Sequence, residues 1–484
     1  MFIVDHDWLK QRPRGRKSWT GSRKAPSLYG LSGHSSGRPQ RKVGAEKSSV
    51  VCPQNDWQPY PNHLEQCACS KLSSRFNYVQ QDSSPSQWRS KLNEGSDSST
   101  ASPSRPYGSS IPATPGFQLI RGLEGYLAYY LDVISTSQHP LEDSFRSKSN
   151  TLRSFWFPLA FEDDLWLQSV VLSSAAHHSQ TTLQPWPIQA QQLMASFLSQ
   201  LNSRIAENTL NDGTLATISC LLLIEHDKGH AEIANTHAAG LAEIVRLRGG
   251  LLSIQRERRA KLVRADIVRA VDALEHPRLS KLPFEPDLTV KSDTSVISNA
   301  VDMAARFQNL GPDPALISPV WSISMLCQKL DLSWKKGDLL DPVPFYEEIF
   351  RACHDLLMFH AHKDIDQLIK LTLLTFMLPL YRQKPFTGDE SSRLILELVF
   401  CLKSINIDTI DSEFGLWVSF ICCMACKDSP WSTSLNDRLR EQFRMMHITH
   451  SGAWTQVRRL LQGYLWTEAI HDRFGKKCYD LLGP

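Results

Sequence analysis

The chain lacks a cysteine framework. Its eleven cysteines are scattered over 484 residues at no regular spacing, which excludes a disulfide-stapled secreted module and points to reduced thiols in an intracellular compartment. It also lacks a hydrophobic run long enough to cross a bilayer. The longest apolar stretches, near Leu371–Tyr381 and Leu416–Cys426, fall short of the roughly 20 residues a spanning helix needs. Residues Met1–Lys10, MFIVDHDWLK, carry acids and no apolar core, so they do not read as a secretory signal. Strand-period alternation is scarce. No nucleophile elbow, no phosphate-cradling glycine loop and no dinucleotide fingerprint occurs. These absences leave a soluble, helical, intracellular protein with no legible catalytic residue and no cofactor motif.

What is present is unevenly distributed. The formal net charge is +3, yet Met1–Val50 alone holds 11 Lys or Arg against 3 Asp or Glu, a net of +8, leaving −5 for the remainder. Up to residue 116 the chain is rich in Ser, Pro, Gly and Arg, as in EGSDSSTASPSRPYGSS. Such a segment has too little apolar surface to offset the entropy of ordering, so a disordered basic arm is predicted over 1–116. From Phe117 the spacing becomes helical. Leu123, Leu127, Tyr130, Leu131 and Ile134 share one face of a helix over Phe117–Thr136. Asp163 or Asp164 is placed to cap a helix that runs to about His178. Further helical stretches are predicted at Ile188–Glu207, Thr214–His226, Thr236–Arg248 and Arg258–Glu275. Eight more follow beyond Ser295, the last of them Trp454–Phe474. Leu279–Val296 reads as an irregular insertion. The predicted class is all-α: a large helical array or bundle over 117–484 with no fixed-period repeat.

The most informative stretch is Thr236–Leu252, THAAGLAEIVRLRGGLL. Thr236 reads as an N-cap, and Leu241, Ile244, Val245 and Leu247 as an apolar stripe. Arg246 and Arg248 suit the negative end of the helix dipole, and Gly249 and Gly250 suit the left-handed positions of a helix stop. The wording His237-x-x-Gly240-Leu241 followed by Arg248-Gly249-Gly250 resembles the fungal-specific transcription factor domain, in its second family. Two other stretches resemble that family in the same order. One is Tyr129–Ala176, with Trp156-Phe157-Pro158-Leu159-Ala160 followed by Asp163-Asp164. The other is the carboxyl end, LLQGYLWTEAIHDRFGKKCYDLL, with Trp466. The resemblance spans about Phe117–Leu482.

It implies a nuclear transcription regulator with a helical regulatory body. Many members carry a binuclear zinc cluster built on six closely spaced cysteine thiolates. Here only Cys52, Cys67 and Cys69 precede Phe117, and the Cys67-Ala68-Cys69 spacing is wrong for it. Members without the cluster exist, and some regulate secondary-metabolite gene clusters. Recruitment to DNA would then run through a partner or through the basic arm. Coregulators, a second copy of the chain and a small-molecule effector are the partners implied, and no membrane.

Residues for DNA binding or nuclear import are Arg14, Gly15, Arg16 and Lys17, with Arg38, Arg41 and Lys42 as a weaker echo. Pro13-Arg14-Gly15-Arg16-Lys17 resembles an AT-hook core, which has proline where this chain has Lys17 and in which a glycine between arginines lets the backbone lie in a narrow minor groove. An import signal and an untargeted basic tail are the alternatives. A cytoplasmic helical scaffold and a helical enzyme using His226–His237 stay open as different classes. His226 and His230 lie four apart, but Glu225 stands on the wrong side for a zinc protease, so helix-end histidines are expected. His177-His178 is expected to close its helix. His360, His362, Asp364 and Asp366 read as a solvated, helix-capping loop. Cys422, Cys423 and Cys426 read as small hydrophobes in a buried helix, and no metal site is assigned.

Overall fold

A computed structural model of the chain describes residues 120, 122–147, 149–283, 294–382, 392–405, 411–427, 429–448 and 453–482. The predicted arm, with Arg14, Gly15, Arg16, Lys17, Arg38, Arg41 and Lys42, lies outside the described residues. So does 284–293 of the predicted insertion, while residues 279–283 are non-helical.

Seventeen α-helices account for most of the described residues, with no strand among them beyond one isolated parallel bridge, Ser147 to Leu340. The chain enters through α1 (Gly125–Tyr129), a π-helical turn (Tyr130–Ile134) and α2 (Ser135–Gln138). Leu123, Leu127, Tyr130 and Ile134 are buried, as their spacing demands, whereas Leu131 is only half-buried. After α3 (Pro140–Ser144), a π turn (Leu152–Trp156) and a 3-10 turn (Pro158–Phe161) lead to α4 (Asp164–Thr182). Asp163 caps α4, accepting the Trp166 amide at 2.9 Å. The helix outruns its predicted end near His178 by a turn and stops at Leu183, in the left-handed region at φ 56. His177 and His178 therefore do not close it. Tyr129 packs on both rings, and its Oη lies 2.9 Å from His177 Nδ1.

Next come α5 (Ile188–Ala206), α6 (Asp212–Asp227), α7 (Ala231–Leu247) and α8 (Arg256–Ala273). α6 packs against α4, α7 and α8. The second half holds α9 (Thr294–Gln308), α10 (Ile317–Lys336), α11 (Pro342–Met358), α12 (Asp364–Tyr381) and α13 (Arg393–Ser404), then α14 (Ser412–Ala425), α15 (Ser432–Met445), α16 (Ala453–Gln462) and α17 (Glu468–Leu482). α9 pairs with α10, and α12 with α13. The single helix predicted over Trp454–Phe474 is two helices. The indole N–H of buried Trp417 takes the Leu465 carbonyl oxygen at 2.8 Å. That oxygen would otherwise have to serve the helix ladder, so a side chain 48 residues away holds the break.

The core runs through both halves. Phe307, Phe414, Trp417 and Tyr464 cluster with ring centroids 5.4–6.0 Å apart. Each fully buried large apolar side chain contributes roughly 1.5–3 kcal/mol. Cys422, Cys423 and Cys426 lie buried in and just after α14 as expected, and Cys423 Sγ touches Cys478 Sγ at 3.3 Å. No helix among the described residues is long and apolar enough to cross a membrane.

Candidate functional site

α7 carries the stretch singled out from sequence. It begins with Ala231, five residues before Thr236, and follows His230, whose Nδ1 lies 2.6 Å from Glu225. Thr236 is therefore an interior residue, its hydroxyl donating to the Glu232 carbonyl at 3.0 Å. Continuous helix-compatible sequence from Ala231 outweighs the local capping chemistry of one threonine. Ala234, His237, Ala238, Leu241, Ile244 and Val245 are buried. Leu247 is not: it is 57% exposed, two positions beyond Val245 and so on the opposite side of the helix.

The stop is as expected. Gly249 (φ 96) donates to the Arg246 carbonyl at 3.0 Å, and Gly250 (φ 88) to the Val245 carbonyl at 2.8 Å. This is the Schellman pattern, which only residues tolerant of positive φ can close cheaply.

Arg248 does more than complement a dipole. Its Nη1 binds Asp212 at 2.7 Å, and Arg258 binds the other carboxylate oxygen at 2.6 Å. Burial opposes ionisation of Asp212, but the hydrogen bonds from Arg258 and Arg248 outweigh it and hold the carboxyl below its ordinary range. One carboxylate at the start of α6 thus ties the end of α7 to the start of α8. Burial brings His237 down to about 4, with Glu225 opposing, so its imidazole is neutral near pH 7. Gly240 borders a groove of about 540 Å³ between the end of α5 and α7, with Ile205, Leu210 and Leu247 on its walls.

The Trp156–Asp163 stretch is a second junction. Trp156 is wholly buried, and its carbonyl accepts the Trp166 indole N–H at 2.7 Å. Pro158 opens the 3-10 turn, where its fixed φ and missing N–H cost nothing. Asp163 binds Arg204 at 2.6 Å and Asn211 at 3.2 Å, joining α4, α5 and the loop into α6. Gly213 is required here: a Cβ on it would sit 2.3 Å from Asp163 Oδ2.

The buried charges of α8 were not legible in the sequence. The helix reads RERRAKLVRADIVRAVDA, nine charged residues in eighteen, and charge at that density suggests a solvated helix. Yet Arg259, Lys261, Arg264, Asp266 and Arg269 are all at most 7% exposed. Asp266 accepts the guanidinium of Arg269 at 3.0 Å and the amides of Arg278 and Leu279 at 2.6 and 2.7 Å. Arg269 reaches Glu275 and Asn235, each at 2.7 Å. Asp272 takes His226 at 2.9 Å and Arg382 at 2.7 Å.

Lys261 and Arg264 differ, because among the described residues no carboxylate reaches ion-pair distance of either. Lys261 Nζ has Ser219 Oγ at 3.3 Å and Cys220 Sγ at 3.5 Å and lies over the Trp166 ring at 5.2 Å. Burial lowers its pKa, and burial together with the charge of Arg382 brings Arg264 down to about 10. His139, also wholly buried, is kept neutral first by burial and then by those two cations. The only advance signal was the small residues interleaved with the charges, such as Ala260, Ala265 and Ala270, which let partner helices approach.

The remaining expected sites resolve as follows. His226 and His230 pair with carboxylates on different elements. The loop before α12 does cap it, but Asp366 is fully buried, not solvated: it accepts amides from Asp313 at 2.8 Å and Lys363 at 3.1 Å. Among the described residues no three His, Cys, Asp or Glu side chains gather as a metal ion would need. Trp466 stands in the turn between α16 and α17. Its indole N–H donates to Asp472 at 2.8 Å, and its ring lies where a Cβ on Gly475 would be, 2.7 Å away.

No curated protein and no solved structure matches the chain. A family model does match, over residues 125–268, which covers α1 through most of α8 and includes both junctions. The carboxyl-terminal stretch around Trp466 lies outside the matched segment. Over the matched residues the chain is similar to the fungal specific transcription factor domain.

Proposed function

We propose that this protein is a nuclear transcription regulator that reaches promoters through a partner bound to its helical body or through its basic amino-terminal arm. It performs no catalysis in this reading. The single observation that carries it is the family match over 125–268. Within that segment the Asp212 clamp and the Asp163 junction fix α4 to α8 against one another, as a rigid regulatory body requires. Cys52, Cys67 and Cys69 do not by themselves make a binuclear zinc cluster, and in this reading contact with DNA runs through the arm or through a coregulator or second copy of the chain. The genes we propose as targets are those of a secondary-metabolite cluster, and a small-molecule effector would act on the helical body.

Chromatin immunoprecipitation of the tagged chain, beside one lacking Met1–Val50, tests this. Discrete promoter peaks that vanish with the arm assign recruitment or import to it. Peaks that persist assign recruitment to the helical body. No peaks, with cytoplasmic fluorescence of the intact chain, reject the reading in favour of a scaffold.

A further inference from the structure

A cavity of about 300 Å³ opens between α9 and α10, outside the family-matched segment, and the turn from α16 into α17 closes one end. α9 presents Val296, Asn299 and Met303 to it, and α10 presents Ser324, Gln328 and Asp331, both sets at helical spacing on one face. The charges around it do not balance locally. Lys335 pairs with Glu468 at 3.3 Å, and Arg458 binds Glu468 at 2.7 Å and Asp472 at 3.0 Å. Two cations therefore serve two carboxylates, and Asp331 is left over. Its Oδ1 accepts the Glu468 amide at 2.9 Å, and among the described residues no cation reaches ion-pair distance of it. A half-buried carboxylate without a counterion is costly unless something answers it.

We propose that this cavity binds the primary ammonium group of a small amphipathic amine, with Asp331 as counterion. The side-chain oxygen of Gln328, one turn back on the same face, would accept one of the remaining N–H bonds, and Val296, Met303 and Trp466 would face the apolar part. Gln328 keeps a lone pair for this, since its oxygen receives one bond, from Asn299 at 3.2 Å. A divalent ion fits less well, because one unpaired carboxylate is short of the oxygen set it needs.

Binding depends on pH. Burial pushes Asp331 up to about 7, with the neighbouring Glu468 and Asp472 carboxylates adding to it and the Glu468 amide and Lys335 opposing. Arg458 stands behind those carboxylates on α16. Cys327, which also lines the cavity, is pushed up to about 12 by burial and stays a thiol. α9 contributes no titratable wall residue. Ammonium binding therefore tightens as pH rises through about 7.

Isothermal titration of the full chain with phenethylamine tests this, with phenethyl alcohol and phenylacetate as neutral and anionic counterparts. The expected result is saturable binding of the amine alone near pH 8. Asp331→Asn weakens it at least about tenfold and Gln328→Ala by a smaller factor, and affinity falls toward pH 6. No saturable binding, equal binding of the alcohol, or unchanged binding in a folded Asp331→Asn variant overturns the proposal. Should that variant fail to fold, a flat pH profile in the unaltered chain overturns it instead. The assay needs no DNA or promoter, so it succeeds or fails independently of the regulatory role.

Discussion

α8 and α14 are both buried nearly throughout, and they are opposites in composition. α14, SEFGLWVSFICCMA, has one charged residue in fourteen, and Phe414, Leu416, Trp417, Val418, Phe420 and Ile421 are at most 1% exposed. α8 has nine charged residues in eighteen and is almost as inaccessible over its central turns. The first is buried because removing apolar area from water is favourable wherever it happens. The second relies largely on specific partners elsewhere in the chain that answer its charges: Glu347, Asp212, His226, Glu275 and Arg382. Area tolerates rearrangement, whereas pairing does not. The two helices should therefore fail differently.

The largest expected effect is at Asp266. Asp266→Ala leaves buried Arg269 with only the more exposed Glu275, strips the Arg278 and Leu279 amides of their acceptor, and should cost about 3–5 kcal/mol in urea unfolding. Phe414→Ala in α14 should cost a similar ~3–5 kcal/mol through its cavity. The distinction lies in rescue. Adding Arg269→Met to Asp266→Ala should recover the part of the loss that comes from the undercompensated guanidinium, while the Arg278 and Leu279 amides stay unmet. If the double variant is no more stable than Asp266→Ala, pairing is not what holds α8.

Gly249→Val comes next. Its φ of 96 is a conformation a β-branched residue resists, and the expected loss is about 1–2 kcal/mol. An unchanged melting temperature would mean the Schellman stop contributes nothing.

Lys261 sharpens the comparison from the other side, as a buried charge on α8 without a carboxylate. Lys261→Met should stabilise by roughly 1 kcal/mol at neutral pH, because methionine keeps the volume and drops the desolvation cost. The folded-state pKa of Lys261 is lowered, so the unfolded chain holds the proton more tightly. The unaltered protein should accordingly gain stability as pH rises toward the unfolded lysine value of about 10.4, and the variant should lack that gain. A destabilised variant would show that the contacts with Ser219 and the Trp166 ring outweigh desolvation. The smallest expected effect is at the solvent-exposed Glu243–Arg246 pair on α7, where Arg246→Ala should leave the melting curve unchanged.

Much of this architecture was legible where the cause is local. The Asp163 cap, the Gly249-Gly250 stop and the apolar face of α7 each follow from residues within a turn or two. The misreadings have distant causes. Thr236 lost its capping role to a helix that starts earlier, and Trp454–Phe474 split because Trp417 claims a carbonyl 48 residues away. Asp366 looked solvated because its amide partner Asp313 lies 53 residues back.

By itself, then, the sequence determined an all-α body, its main helix ends and a family resemblance carried by short motifs, because backbone capping and amphipathic spacing act between near neighbours. Tertiary structure alone decided that the most charged helix would be among the most buried, and that Asp331 would face a cavity without a counterion. A charge has no fixed preference for water or interior until its partners are in place, and those partners come from other helices far along the chain.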